Sequence, residues 1–208
     1  YSYRMEYHSY VVLRLKRAFP AARVVLRGHR YDLYEEMSPG GYIPLRDAAF
    51  RVADRILPVS DHGADYLRAR FPEAAERITV RRLGTTDLGL APIPPQGGPL
   101  RIITISTITT AKRLDRLVKA LTQLDRPAEW DHFGDGPLRP DLLRAIAELP
   151  TRVQVRLRGE VSHDMLMAHL QEVPYDVLVN VSDSEGVPVS IMEAMSLGIP
   201  VVATAAGG

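Results

Sequence analysis

The chain has 208 residues, of which 46% are hydrophobic and 25% charged, with a net charge of +1 and no cysteine. These values are ordinary for a folded globular protein and argue against a disordered segment or a coiled coil. The cations are scattered and nearly all arginine, so no nucleic-acid footprint is present; no apolar run approaches the ~20 residues needed to span a bilayer; the absence of cysteine excludes disulfides and thiolate metal sites and fits a reducing compartment.

In chain order, the first residue is Tyr1 and no signal-peptide pattern follows. Residues 7–19 read as a helix, because Val11, Val12, Leu15 and Phe19 recur at helical spacing with Arg14, Lys16 and Arg17 between them. Strands are expected at 22–27, 55–59, 78–83, 100–106, 129–133, 153–157, 175–181 and 200–204. Amphipathic helical segments are expected at 64–71, 112–124, 138–149 and 164–172. This alternation implies an α/β protein with parallel sheets. The runs at 176–181 and 199–203 are apolar without alternation, as in strands covered on both faces. The Pro- and Gly-rich stretch 91–99 reads as a linker. It separates a partial domain over 1–97 from a more complete one over 98–208. Because Gly207-Gly208 directly follows a strand, the expectation is an interior fragment, incomplete in both domains.

The strongest chemical signal is Glu185-Gly-Val-Pro-Val-Ser-Ile-Met-Glu193. A strand ends near Val181, a polar loop follows, Pro188 suits the first turn of a helix, and Gly198 stops it. Ligands of open α/β sheets bind beyond the carboxyl ends of strands, where Glu185 falls. The amides of Val189 and Ser190 open the helix and can meet an anion. Glu193 lies about 7 Å further along at ~1.5 Å per residue. A carboxylate at a helix start is favourable even without a ligand. Glu193, flanked by Ile191, Met192, Ala194, Met195 and Leu197, requires a partner, which could be a solvated groove or a structural arginine.

The second signal follows the strand at 100–106. Leu114, Leu117, Val118 and Leu121 form one apolar stripe, with Thr109 or Thr110 as the cap. Lys112 and Arg113 then fall in the first turn, where the helix dipole opposes cations and a bound anion would offset the cost. Gly134 and Gly136, in Phe133-Gly-Asp-Gly-Pro-Leu138, sit at another strand-to-helix junction; a plain tight turn explains them as well as a ligand does. They do not form the longer Gly-x-Gly-x-x-Gly fingerprint of dinucleotide oxidoreductases. His29 and Asp32 fall just past a strand end, and His29 is placed for a polar role in a cleft. His8, His62, His132, His163 and His169 are isolated in sequence, and no metal-binding cluster exists.

Glu185 to Glu193 resembles the Glu-x7-Glu signature of retaining family-4 glycosyltransferases, which have the GT-B fold of two Rossmann-like domains. Residues 29–36, 56–60, 82–84, 112–115 and 133–138 resemble further family motifs in the family's order. The resemblance implies a nucleoside diphosphate sugar as donor and a glycan or lipid-linked acceptor, with retention at the transferred carbon. It implies that Glu185 holds the donor sugar and Glu193 the ribose. Lys112 would meet the diphosphate, helped by the Val189 and Ser190 amides, and His29 would reach the sugar from the facing domain. Arg113, Gly134, Gly136, Gly186 and Val187 complete the expected donor-binding set. Thr107 stands where many members carry an arginine, leaving Arg113 as the candidate substitute; Pro188 stands where many have glycine. No metal cofactor and no nucleic-acid partner are expected, since Asp183-Ser-Glu185 lies before a helix whose positive end can serve the diphosphate. The expected location is the cytoplasm, with peripheral contact at the inner membrane face through an N-terminal region absent from this chain. A sugar-nucleotide epimerase and a non-catalytic nucleotide- or glycan-binding homologue are the alternatives. As it stands, the chain is expected to be inactive alone.

Overall fold

A computed structural model describes residues 1–206, and the expectation attached to Gly207-Gly208 lies outside them. The chain divides into two compact units. Among the described residues, the first comprises Tyr1–Leu83 with Glu185–Val187, and the second Gly84–Ser184 with residues 188–206.

In the first unit, β1 (Val25–Gly28) and β2 (Arg55–Pro58) pair in parallel with Val25 opposite Arg55. Ser2 adds a bridge to Leu26 on one side, and Ile78 a bridge to Ile56 on the other. The expected strand at 78–83 is therefore only an extended segment. It follows β2 through Thr79 N to Ile56 O and Arg81 N to Pro58 O, both 2.9 Å, without a continuous ladder. Three helices cover the sheet: α1 (His8–Ala18), α2 (Arg46–Val52) and α3 (Asp61–Arg70). Met5, Leu26, Leu33, Phe50, Ile56 and Leu67 form the core. Helix α3 begins a turn earlier than its apolar pattern suggests, because Ser60 Oγ accepts from Gly63 N at 3.1 Å and caps it. Helix α2 was not expected. Its Arg46 reads as polar but is buried, donating to Leu33 O and Asp32 O at 2.6 Å each.

The second unit is a five-stranded, all-parallel sheet in the order β5-β4-β3-β6-β7. Its strands are β3 (Leu100–Ile105), β4 (Ala128–Phe133), β5 (Val153–Gly159), β6 (Val177–Asn180) and β7 (Val201–Ala203). Adjacent residues on β3 feed two cores. Ile102 packs with Leu117, Leu121, Trp130 and Leu142 under α4 (Leu114–Thr122) and α5 (Arg139–Ala147). Ile103 packs with Leu166, Leu170, Leu178 and Ala194 under α6 (His163–Glu172) and α7 (Val189–Ser196). The four residues expected as the stripe of α4 are its buried residues. Strand β7 is an edge strand of the described sheet, and its Val202 is 61% exposed.

The division between units falls after Leu83 rather than near residue 97. Residues 84–97 are held on the second unit, where Ala91 N donates to Leu197 O at 2.8 Å and Gln171 Nε2 to Leu88 O at 3.0 Å. Among the described residues, no helix is long and apolar enough to cross a membrane.

Candidate functional site

The order of the five-stranded sheet reverses between β3 and β6. Chain leaving β3 goes to one side and chain leaving β6 to the other, which opens a crevice beyond their carboxyl ends. Two loops meet there. Asp183 N, from the loop after β6, donates to Ala111 O, from the loop after β3, at 2.9 Å. Asp183 also receives Arg113 Nη1 at 2.8 Å and Arg116 Nη1 at 2.6 Å. These arginines, Arg113 first, hold the Asp183 carboxyl below its ordinary range. Lys112 lies in the loop so locked.

The geometry differs from the expected first helical turn. Residues Thr110–Lys112 form a 3-10 turn, and Thr109 precedes it without a side-chain cap. Arg113 then adopts a left-handed conformation with φ of 48° before α4 starts at Leu114. Lys112 and Arg113 thus precede the α-helix. Asp115, at 3.0 Å, and Asp183 both engage Arg113, and the two carboxylates raise its pKa.

Gly134 and Gly136 make this loop possible. Gly134 has φ of 128°, and a Cβ there would stand 2.0 Å from Ser106 O. A Cβ on Gly136 would stand 2.5 Å from Ile108 O. Backbone bonds from Ser106 N to Phe133 O (3.0 Å) and Ile108 N to Asp135 O (2.9 Å) knit the two turns together. The pair is explained first by close backbone approach. Beside it, Ser106, Thr107, Phe133, Gly134, Glu160 and Val161 line a cavity of about 230 Å³ at the ends of β3, β4 and β5.

Helix α7 follows Pro188, which sits at the cap rather than inside the first turn. Its first amides, of Val189 and Ser190, have no carbonyl four residues back within the helix. At the other end Gly198, with φ of 76°, donates to Met195 O, and Ile199 N to Ala194 O, closing the helix as the glycine predicts. Glu193 is 5% exposed, and its partner is His163 Nε2 at 2.7 Å from Oε1. That histidine, isolated in sequence, is the partner the apolar surroundings of Glu193 demanded. Glu185, Gly186 and Val187 group with the first unit, where Arg30 Nη1 donates to Glu185 O at 3.0 Å.

His29 caps a 3-10 turn over Arg30–Asp32. Its N–H donates to Asp32 Oδ1 at 2.7 Å, and Met5 N donates to Asp32 Oδ2 at 2.6 Å. The imidazole accepts the Asp32 N–H in return. Burial pushes its pKa below the ordinary value, favouring the neutral ring. In this tautomer Nε2 carries the hydrogen, and among the described residues Nε2 is buried without a partner. The other histidines are placed otherwise: Trp130 Nε1 and His132 Nδ1 both bond Thr104 Oγ1, at 2.8 and 2.7 Å, inside the core. His169 Nε2 meets Tyr175 Oη at 2.8 Å.

Parallel strands in this order, with the crevice at β3 and β6, define a Rossmann-like α/β unit. The family described as "Glycosyl transferases group 1" matches residues 99–208, and the chain belongs to it. A curated relative is the WcaL protein of Escherichia coli (strain K12), named for colanic acid biosynthesis. It is 30% identical over 189 residues, covering 86% of this chain and 46% of that protein. The chain thus spans about half the length of the curated relatives it matches. Among solved structures, the lipopolysaccharide outer core galactosyltransferase WaaB in its apo form matches with a TM-score of 0.68 at 18% identity, over 94% of this chain and 60% of that one. HepE of Anabaena in complex with UDP-glucose matches with 0.64 at 20% identity, over 96% and 58%. These neighbours identify the fold as that of GT-B glycosyltransferases, of which the chain is a part.

Proposed function

We propose that the chain carries the donor site of a retaining glycosyltransferase that uses a nucleoside diphosphate sugar and a glycan or lipid-linked acceptor. The observation that carries this reading is the locking of the Lys112 loop to the loop after β6 through Ala111, Arg113 and Asp183. On this reading Lys112, carried by that loop, would meet the diphosphate. The Val189 and Ser190 amides would assist it, Glu193 would take the ribose hydroxyls, and the cavity at β3, β4 and β5 would take the base. Glu185 would hold the sugar, and the His29 Nε2–H would donate to a sugar hydroxyl. In the reaction the bond from the anomeric carbon to the diphosphate breaks as the bond to the acceptor oxygen forms on the same face. The acceptor proton passes to the leaving diphosphate. Catalysis is then positioning and stabilisation of developing charge. The names of WcaL and WaaB and the UDP-glucose of the HepE complex support sugar transfer in polysaccharide or lipopolysaccharide synthesis. Such an enzyme would work on the cytoplasmic side of the membrane, reaching a lipid-linked acceptor peripherally.

Calorimetry on the complete protein tests the assignment. Lys112→Ala should weaken nucleoside diphosphate binding by about 1.5–3 kcal/mol, the range for a hydrogen bond to a charged group. Equal affinity in variant and parent would remove Lys112 from the site. No divalent ion is proposed for the diphosphate, because the carboxylate of Asp183 is already held by two arginines. Transfer activity should therefore persist in EDTA; activity lost in EDTA and regained with manganese would overturn this part.

A further inference from the structure

Glu193 is a nearly buried carboxylate on a helix whose neighbouring side chains are mostly apolar. The bond that satisfies it comes from another element. Ser162 Oγ accepts from Met165 N at 3.3 Å and caps α6, which sets His163 as that helix's first residue. From there Nε2 reaches Glu193 Oε1 at 2.7 Å. The histidine side chain is 66% exposed and that of Glu193 only 7%. The pair therefore runs from the interior to the surface and is not sealed in the core. Both residues belong to the second unit. The bond fixes Oε1, and so sets the plane in which the other oxygen is presented. A glutamate free to rotate would lose that freedom on binding a ligand, whereas one fixed beforehand has less to lose.

We propose that His163 is a positioning residue for nucleoside recognition, its Nε2–H holding the Glu193 carboxylate in the orientation that accepts the two ribose hydroxyls. This rests on the reading of Glu193 as the ribose-binding residue. A histidine that only neutralised a buried charge would support the fold of α7 and favour no part of the nucleotide.

The test is calorimetry on the complete protein with UDP and GDP and with their 2′,3′-dideoxy counterparts. His163→Ala should weaken the ribose nucleotide about tenfold and change the dideoxy form by less than about twofold. His163→Gln, which keeps an N–H donor, should return affinity to within about threefold of the parent. If His163→Ala does not fold, His163→Phe keeps a ring without the donor and carries the same comparison. Equal loss for both nucleotide forms, or no loss for either, overturns the proposal. A parent protein that binds neither UDP nor GDP overturns the donor-site reading itself, which is a distinct outcome.

Discussion

Glu185→Ala in the complete protein should leave nucleoside diphosphate affinity nearly unchanged while lowering kcat by about 10²–10³-fold, the usual cost of removing a group aimed at developing charge. Glu193→Ala should behave differently and weaken free nucleotide and nucleotide sugar alike. The two glutamates are separated by the first turns of α7, and the structure treats them differently. Glu193 is nearly buried and bound by His163, whereas Glu185 is partly exposed in the preceding loop. On the proposed reading Glu193 meets the ribose, which does not change in the reaction, and Glu185 meets the sugar, whose charge develops in the transition state. Paired calorimetry and steady-state kinetics read both effects, and equal loss of free-nucleotide affinity in the two variants would refute the division.

Gly134→Ala is expected to destabilise the protein by about 3–5 kcal/mol, combining overpacking with left-handed backbone strain. The new Cβ would stand 2.0 Å from Ser106 O and 2.8 Å from Ser106 C, so backbone rather than a flexible side chain must move. Gly84→Ala is the control, because nothing lies within 4 Å of its Cβ position and its φ is not in the left-handed region. It should stay within about 0.5 kcal/mol of the parent. Denaturant unfolding that finds the two variants equally stable would dismiss the steric account.

The sequence made much of the second unit legible because its signals are local. The stripe Leu114, Leu117, Val118 and Leu121 needs only helical spacing, and Gly198 needs only a helix to end. What escaped depends on distance or on unusual backbone. No glycine announces the left-handed turn at Arg113, so Lys112 and Arg113 were expected one turn too deep in the helix. The carboxylates that engage Arg113 include Asp183, 70 residues away. Glu193 declared its need for a partner by its apolar neighbours, but the partner, 30 residues earlier, carried no mark of its own. Gly134 and Gly136 were seen as candidates for ligand contact, and their first duty is to a neighbouring backbone that spacing alone does not reveal. Arg46 escaped because a buried arginine on a seven-residue helix looks polar in any pattern.

The strand order also dictates when the site can exist. Hydrogen bonds between β3 and β4 side chains join residues 26 and 28 positions apart. The bond from Arg101 N to Asp176 Oδ2, which ties the start of β3 to the approach of β6, closes 75 positions. Longer closures cost more chain entropy. During synthesis β3, β4 and β5 emerge first and can pair with one another, but the loop bearing Lys112 has nothing to lock against until Asp183 has been made. The crevice therefore forms only once the loop after β6 has been made. A nascent chain halted before β6 would possess three of the five strands of this sheet and no second loop to lock the first.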